Sequence, residues 1–384
     1  MRSILSERAE AGKAVLDIPW RFAPSTTYDP VTNKSGLIAF STAENKLVTE
    51  DVFSFVRDNV QLESRHLRYA TLDVDVARFS RALASHLNEY MKPHETITAD
   101  TIRVTSAATA MHDILAWGLA DPGDAFLVSR PIYGRFEIDF GNKSQVELVY
   151  ADTDAETCFN VDVVEQFEKA LKHRVHLISD EIYACSVFDS GEQDAVPYTP
   201  ILSIDSSEFI EPEFLHVTYG LSKDFGSPGL SLGGIVTRSR PLLRAIDAVK
   251  RFHEVSGPSL AMGIAILENG PWRHQFIEAS REKLAEAYKH VTRGLDELGI
   301  SYLRGTNAGF FVYIDLSPYL PSDLAGESNA EFALARLLLD AGVFLHPREE
   351  HASKPGWFRL VYTQPAGTVT EGLKRMQSVI EKSR

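Results

Sequence analysis

Tyr219-Gly220-Leu221-Ser222-Lys223-Asp224-Phe225-Gly226 follows the apolar run Leu215 to Thr218, and its reading decides the fold. A β-prone run that breaks at a glycine and delivers a serine and a lysine places both at the carboxyl edge of a strand, where open α/β sheets bind ligands. Alone, Ser-Lys fits a solvated loop equally well. A second strand end upstream adds weight: Ser179-Asp180-Glu181-Ile182-Tyr183 closes the run Val175 to Ile178. An amine at one strand end, with a carboxylate and a phenol at its neighbour, can converge on one small ligand. The bland alternative for Asp180 is an acid capping a turn.

Working outward, short apolar runs alternate with helical pattern. Ile102 to Thr105, Ala125 to Val128, Val146 to Tyr150, Val175 to Ile178, Leu215 to Tyr219 and Gly234 to Thr237 read as six strands. A helix over Ala110 to Leu119 ends at the turn Asp121-Pro122-Gly123-Asp124. This alternation predicts an α/β fold with a mostly parallel central sheet and helices on both faces. The tail differs: a long charged helix from Trp272 to Leu298, a strand over Phe310 to Leu316, a helix over Ala330 to Ala341, a strand over Trp357 to Tyr362 and a last helix. It reads as a smaller C-terminal α+β domain. The expected division is an arm over 1–45, a large domain over 46–257 and a small domain over 258–384, with the boundary at Gly257-Pro258.

The chain has 384 residues, 44% hydrophobic and 24% charged, as in ordinary globular proteins. Its net charge of -14 speaks against nucleic acid or an anionic membrane as partner, since both need a concentrated positive face. Two cysteines, Cys158 and Cys185, cannot build a disulfide scaffold or a four-thiolate metal site and fit a reducing compartment. The charged N-terminus lacks a secretory pattern and no apolar run reaches about 18 residues. A cytoplasmic protein without a metal site is expected.

Pyridoxal phosphate chemistry needs an amine for a Schiff base, a carboxylate to hold the ring nitrogen protonated, and donors for the ring oxygen and phosphate. Lys223, Asp180 and Tyr183 are candidates for the amine, the carboxylate and a donor. Ser-Asp-Glu-Ile-Tyr-Ala from Ser179, Leu-Ser-Lys-Asp-Phe-Gly-Ser-Pro-Gly from Leu221 and Pro-Gly-Trp-Phe-Arg-Leu from Pro355 resemble the fold type I class I/II aminotransferases. Within these, the chain looks like the branch of 1-aminocyclopropane-1-carboxylate synthase. The likeness extends to Ala43-Glu44-Asn45-Lys46-Leu47, to Leu119 through Val128 and to Asn307-Ala308-Gly309-Phe310-Phe311, and covers most of the chain from about residue 20.

This resemblance implies a pyridoxal 5'-phosphate enzyme acting on an α-amino acid, an aminotransferase or a 1-aminocyclopropane-1-carboxylate synthase-like lyase. Lys223 then carries the Schiff base and moves the Cα proton, Asp180 pairs with the pyridine nitrogen and Tyr183 bonds the ring oxygen. Ser222 and the backbone amides of Ala108 and Thr109 hold the phosphate, as a helix N-terminus favours, and Tyr133 stacks on the ring. Arg359 grips the substrate carboxylate through paired hydrogen bonds, and Glu44 belongs to the substrate site. Tyr69 reaches the partner's phosphate, which implies a homodimer with shared sites.

Two departures from the family pattern stand out. Serine occupies position 231, in Gly229-Leu230-Ser231-Leu232-Gly233, where the family has an arginine that neutralises phosphate. A family strand ending in an Asn-Pro motif, and the helix after it, have no counterpart: the helix expected over Val161 to Lys172 runs straight into His173-Arg174-Val175. A strand-helix unit is missing, so either the sheet re-pairs or the chain reflects an incomplete gene model. The rival to an active enzyme is therefore an impaired paralogue with weak or no cofactor binding. Gly229 to Gly233 also fits the G-x-S-x-G pattern of serine hydrolases, but that elbow needs a strand before the serine and a helix after it, the reverse of the pattern here.

Overall fold

Six consecutive residues, Leu215–Gly220, are buried on both faces, as befits a strand central to a sheet covered by helices on either side. The computed structural model describes residues 4–14, 20, 27–69, 72–151, 153, 164–165, 167–168, 173–193, 195–347 and 352–382. Its helices are α1 (Glu7–Ala14), α2 (Thr49–Asn59), α3 (Leu72–Met91), α4 (Ala107–Leu119), α5 (Phe136–Ser144), α6 (Leu221–Asp224), α7 (Arg240–Val249), α8 (Gly257–Glu268), α9 (Gly270–Leu298), α10 (Ala330–Asp340) and α11 (Ala366–Ile380). The strands are β1 (Ile38–Ala39), β2 (Ile102–Thr105), β3 (Ala125–Val128), β4 (Glu147–Tyr150), β5 (Leu177–Asp180), β6 (Leu215–Gly220), β7 (Gly233–Thr237), β8 (Ser301–Tyr302), β9 (Phe311–Asp315), β10 (Val343–Phe344) and β11 (Trp357–Val361). Cys158 and most of the helix expected over 161–172 lie outside the described residues.

The main sheet has the order β2-β7-β6-β5. β5 pairs parallel to β6, with Asp180 opposite Thr218, while β7 runs antiparallel to both β6 and β2. Three of its four strands thus share a direction and β7 reverses. Alternate residues feed two helical layers: Val217, Tyr219 and Val236 pack with α3 and α8, whereas Ile235 packs with Met111, Ile114 and Leu115 of α4 and Leu242 and Ile246 of α7. Local sequence sets the helix starts. Ser239, Ser256, Asn269 and Asn329 each accept a backbone N–H three residues on, and proline follows within the first turn of α7, α8 and α9.

The six expected strands all form, but not as one sheet. β3 and β4 make a separate parallel pair, attached to α4 and α5 through a small cluster of Ala116, Phe140 and Val146. Among the described residues no strand bridges β5 and β3, so β5 is an edge and its Leu177, Ile178 and Ser179 are only half-buried. Among the described residues, β5 gains no partner on that side in place of the expected strand. β5 also starts two residues later than the sequence suggests, because its extent follows its pairing with β6, from Leu177 opposite Leu215 onward.

The C-terminal part has its own core around the antiparallel sheet β11-β9-β8, with α9, α10 and α11 packed on it. Pairing of β1 with β10 adds Ile38 and Phe40 to this core. α9 joins the two cores: Phe276 and Ile277 belong to the first, Leu284 to Leu295 to the second. Among the described residues, no helix is long and apolar enough to cross a membrane.

Close approach of β6 and β7 sets the lysine's position. A Cβ on Gly233 would stand 2.7 Å from the Tyr219 carbonyl oxygen and 3.1 Å from the Gly220 Cα. Gly233→Ala is expected to lower stability by about 1–3 kcal/mol in urea unfolding, through this overpacking. An unchanged midpoint would mean that the strands separate there freely.

Candidate active site

A cavity of about 760 Å³ opens where the carboxyl ends of β5 and β6 meet the N-terminus of α4 and the β9–β11 sheet. Of the residues singled out in the sequence, Ala108, Thr109, Tyr133, Asp180, Tyr183, Ser222, Lys223 and Arg359 line it, as does Ser231. Two do not. The Tyr69 side chain stands on the surface, 88% exposed, and Glu44 is outside the lining, its carbonyl bonded by the Thr363 hydroxyl at 2.6 Å.

Lys223 sits in the single turn α6 directly after β6, and Gly226, at φ +53°, ends that turn in the left-handed region. Its Nζ donates to the Ala43 carbonyl at 2.6 Å and lies 6.0 Å from the centre of the Tyr183 ring. Burial, with help from Arg359, pulls the lysine's pKa down to about 8, against the opposing pull of Glu44 and Asp180. The amine is therefore substantially unprotonated slightly above neutrality. Beneath it Asp224 is a fully enclosed brace: Oδ1 accepts from the Ser186 hydroxyl at 2.6 Å, and Oδ2 from the Cys185 N–H at 2.8 Å and the Tyr219 hydroxyl at 2.9 Å. One carboxylate so ties the lysine turn to the 182–186 turn that carries Tyr183. Desolvation lifts its pKa to about 6 despite these bonds.

Asp180 ends β5 with its carboxylate 22% exposed, and its Oδ1 accepts from Thr218 Oγ1 at 3.0 Å. Burial raises the Tyr183 phenol far above its usual range, so it faces the cavity as a neutral donor. At the opposite end, the first turn of the 13-residue α4 brings Ser106, Ala107, Ala108 and Thr109 to the cavity wall beside Ser222. Free N–H groups and the positive end of the helix dipole make this an anion site. Arg359, on β11 opposite Tyr313, is buried; it donates to the Ser41 carbonyl at 2.8 Å and its guanidinium lies 5.4 Å from the Phe311 ring centre. Ser231 has φ +46° but lies between the short turn Pro228–Leu230 and β7, which is not the strand-serine-helix order of a hydrolase elbow.

Sequence reasoning missed His112, one turn into α4. It lines the cavity, and its two ring nitrogens face Asp139 Oδ2 at 3.1 Å and Asp180 Oδ2 at 3.6 Å. Its only sequence signal was a polar residue on an apolar helix face, which tertiary partners alone make informative.

The aminotransferase class I and II family matches this chain in two pieces, residues 36–173 and 163–376. The chain belongs to that family. The two pieces overlap over residues 163–173, ahead of β5. Human 1-aminocyclopropane-1-carboxylate synthase-like protein 1 is 28% identical over 409 residues, covering 92% of this chain and 78% of the relative. 1-Aminocyclopropane-1-carboxylate synthase 3 of Oryza sativa subsp. japonica is 26% identical, covering 94% and 91%. In fold, a double mutant of Thermus thermophilus aspartate aminotransferase superposes with a TM-score of 0.72 at 20% identity, over 99% of this chain and all of the other. An aromatic aminotransferase of Pyrococcus horikoshii gives 0.71 at 16% identity, over 90% and 96%.

Pyridoxal 5'-phosphate is the cofactor of this aminotransferase family, and the donor set fits it. The cavity offers an amine of depressed pKa, a carboxylate at one end, a helix N-terminus at the other and a neutral phenol between. The fit is weakest at the phosphate. The cationic side chains in the lining are Lys223, Arg359 and His112, and at the α4 end the donors on offer are helix amides and hydroxyls.

Apo-protein should take up pyridoxal 5'-phosphate, followed by absorbance near the visible edge, with a rate that rises about tenfold per pH unit up to pH 8 and then levels. The band should vanish in Lys223→Ala. A rate still climbing to pH 10 would show an amine of ordinary pKa.

Proposed function

We propose that this chain uses pyridoxal 5'-phosphate to transform an α-amino acid, with Lys223 as the attachment point and proton carrier. The observation that carries the reading is the convergence of three groups on one cavity: a buried amine with pKa about 8, the Asp180 carboxylate and the buried Arg359 guanidinium. When bound, the cofactor supplies an electron sink for the bond broken at the substrate's Cα. Asp180 holds the ring nitrogen protonated, Tyr183 donates to the ring oxygen, and Tyr133 lies along the ring face. The amides of Ala108 and Thr109, with the Ser222 hydroxyl, grip the phosphate. Arg359 receives the substrate carboxylate through two parallel hydrogen bonds and so sets the Cα hydrogen against Lys223, which takes the proton and returns it.

The relatives named as 1-aminocyclopropane-1-carboxylate synthases and the aminotransferase folds together favour an aminotransferase or a synthase-like lyase. An impaired paralogue is the second reading, favoured by the broken sheet and by Ser231. Mixing loaded protein with a panel of amino acids, with and without a keto acid acceptor, separates the two by the products formed. With the best substrate, Arg359→Lys should raise KM by about tenfold to a hundredfold, the loss of a charge-assisted bidentate contact. No spectral change or product with any amino acid would sink the enzyme reading.

A homodimer belongs to this proposal. Leu67, Tyr69 and Val74 stand together in sequence ahead of and within the start of α3, exposed by 82%, 88% and 65%, an apolar set suited to a second copy. Sedimentation should give a dimer; a monomer at micromolar concentration would remove Tyr69 from the site. A cytoplasmic location is part of the same reading, supported by the buried free thiol of Cys185.

A further inference from the structure

His112 is 1% exposed, enclosed by the rings of Phe136 and Phe140 at centroid distances of 5.0 Å each. Asp139, itself buried on α5, meets Nδ1 at 3.1 Å, and Asp180 of β5 faces Nε2 at 3.6 Å. A neutral imidazole has one N–H and one lone pair, so either tautomer would aim a lone pair at a carboxylate oxygen. Only the doubly protonated ring presents N–H to both.

Lys223 also faces the unit through Asp180, whose charge favours the ammonium form. From the histidine's own helix, Thr109 Oγ1 donates to Asp139 at 3.2 Å, while Asp113 is taken by Lys143 and His253, each at 2.9 Å. On β6 Thr218 donates to Asp180, and where β7 and α7 pack on α4 they do so with the apolar Ile235, Leu242 and Ile246. His216, two residues before Thr218, is engaged by His176 and Thr237.

We propose that Asp139 is a positioning residue of the cofactor site: it fixes His112 as an imidazolium, so that Asp139, His112 and Asp180 act as one unit of single negative charge behind the ring-nitrogen end of the cavity. Two carboxylates and one imidazolium sum to that charge, and the sum stays constant across the neutral range. Burial disfavours the imidazolium, but the Asp139 hydrogen bond and the nearby charge of Asp180 outweigh it and raise its pKa to about 9. Through Thr109 the same Asp139 also braces the first turn of α4 at the anion end. The assignment of Asp180 to the ring nitrogen rests on the function proposed above.

The first test needs no cofactor. Nitrogen-15 NMR of apo-protein, with the signal assigned by its loss in His112→Gln, should find both His112 ring nitrogens protonated at pH 7.5. A neutral ring there would overturn the proposal. In Asp139→Asn the second proton should leave at a lower pH, whereas Thr109→Val should keep it.

The second test uses 4'-deoxypyridoxine 5'-phosphate, which has the ring and phosphate without the aldehyde. Above the variant's His112 midpoint, Asp139→Asn leaves a neutral ring beside Asp180 and the unit keeps its single negative charge. Below it, His112 regains its proton and the unit becomes neutral. The ratio of variant to wild-type dissociation constants should therefore be near one a pH unit above the midpoint and rise to about tenfold a unit below. An equal ratio on both sides would make Asp139 a merely structural part of α5. Failure of the analogue to bind wild-type protein would strike the cofactor reading, while the NMR result decides His112 separately.

Discussion

The parallel pairing of β5 with β6 is the constraint on which the site depends. It sets Asp180 opposite Thr218 at the same sheet edge from which, two residues past Tyr219, the lysine turn departs. The β6 strand is held in turn by helices on both faces, and Gly220 and Gly233 let β7 close on it. Asp224 carries this order one layer further by locking the lysine turn to the Tyr183 turn through two hydrogen bonds and to Tyr219 of β6 through a third. A slip of one residue in β5 would turn Asp180 to the other face and leave the amine without its carboxylate.

The electrostatics follow from burial. Lys223 is deprived of water and placed near Arg359, which costs its ammonium form more than nearby acids return. His112 is as deeply buried, yet two carboxylates reverse the outcome and keep it charged. Two basic side chains lining one cavity are thus driven in opposite directions, which separates a free amine from a fixed cation.

Much of this was legible from local sequence. Lys223, Asp180 and Tyr183 announce themselves because they follow or close short apolar runs, whereas Arg359 came from resemblance; the cavity gathers all four. The strands themselves were close to right, since short β-prone runs between turns define them. His112 and Asp139 were not legible: their meaning comes from α4 and α5 packing side by side, which no spacing along the chain encodes. α8 escaped notice for another reason, since GPSLAMGIAILE is apolar on nearly every side and shows no stripe. Glu44 and Tyr69 were assigned by resemblance, and within one protomer neither reaches the cavity. Motif order pointed to a missing strand-helix unit but left open whether the sheet re-pairs, because pairing between strands is not written in the spacing of motifs.

That break falls between the two halves of the site. Tyr133 belongs to the side carrying β3 and β4, whereas the α4 amides, which follow β2 of the main sheet, belong with Asp180, Tyr183 and Lys223. In an unbroken sheet, backbone hydrogen bonds would splice these sides together; here the joints are α4 packing and the His112 bridge. A ligand lodged between Tyr133 on one side and Asp180 with the α4 turn on the other would be a strut across the gap. It stabilises the native fold by mass action as well as serving the chemistry, so the broken sheet turns a cofactor into a structural member of the protein that holds it.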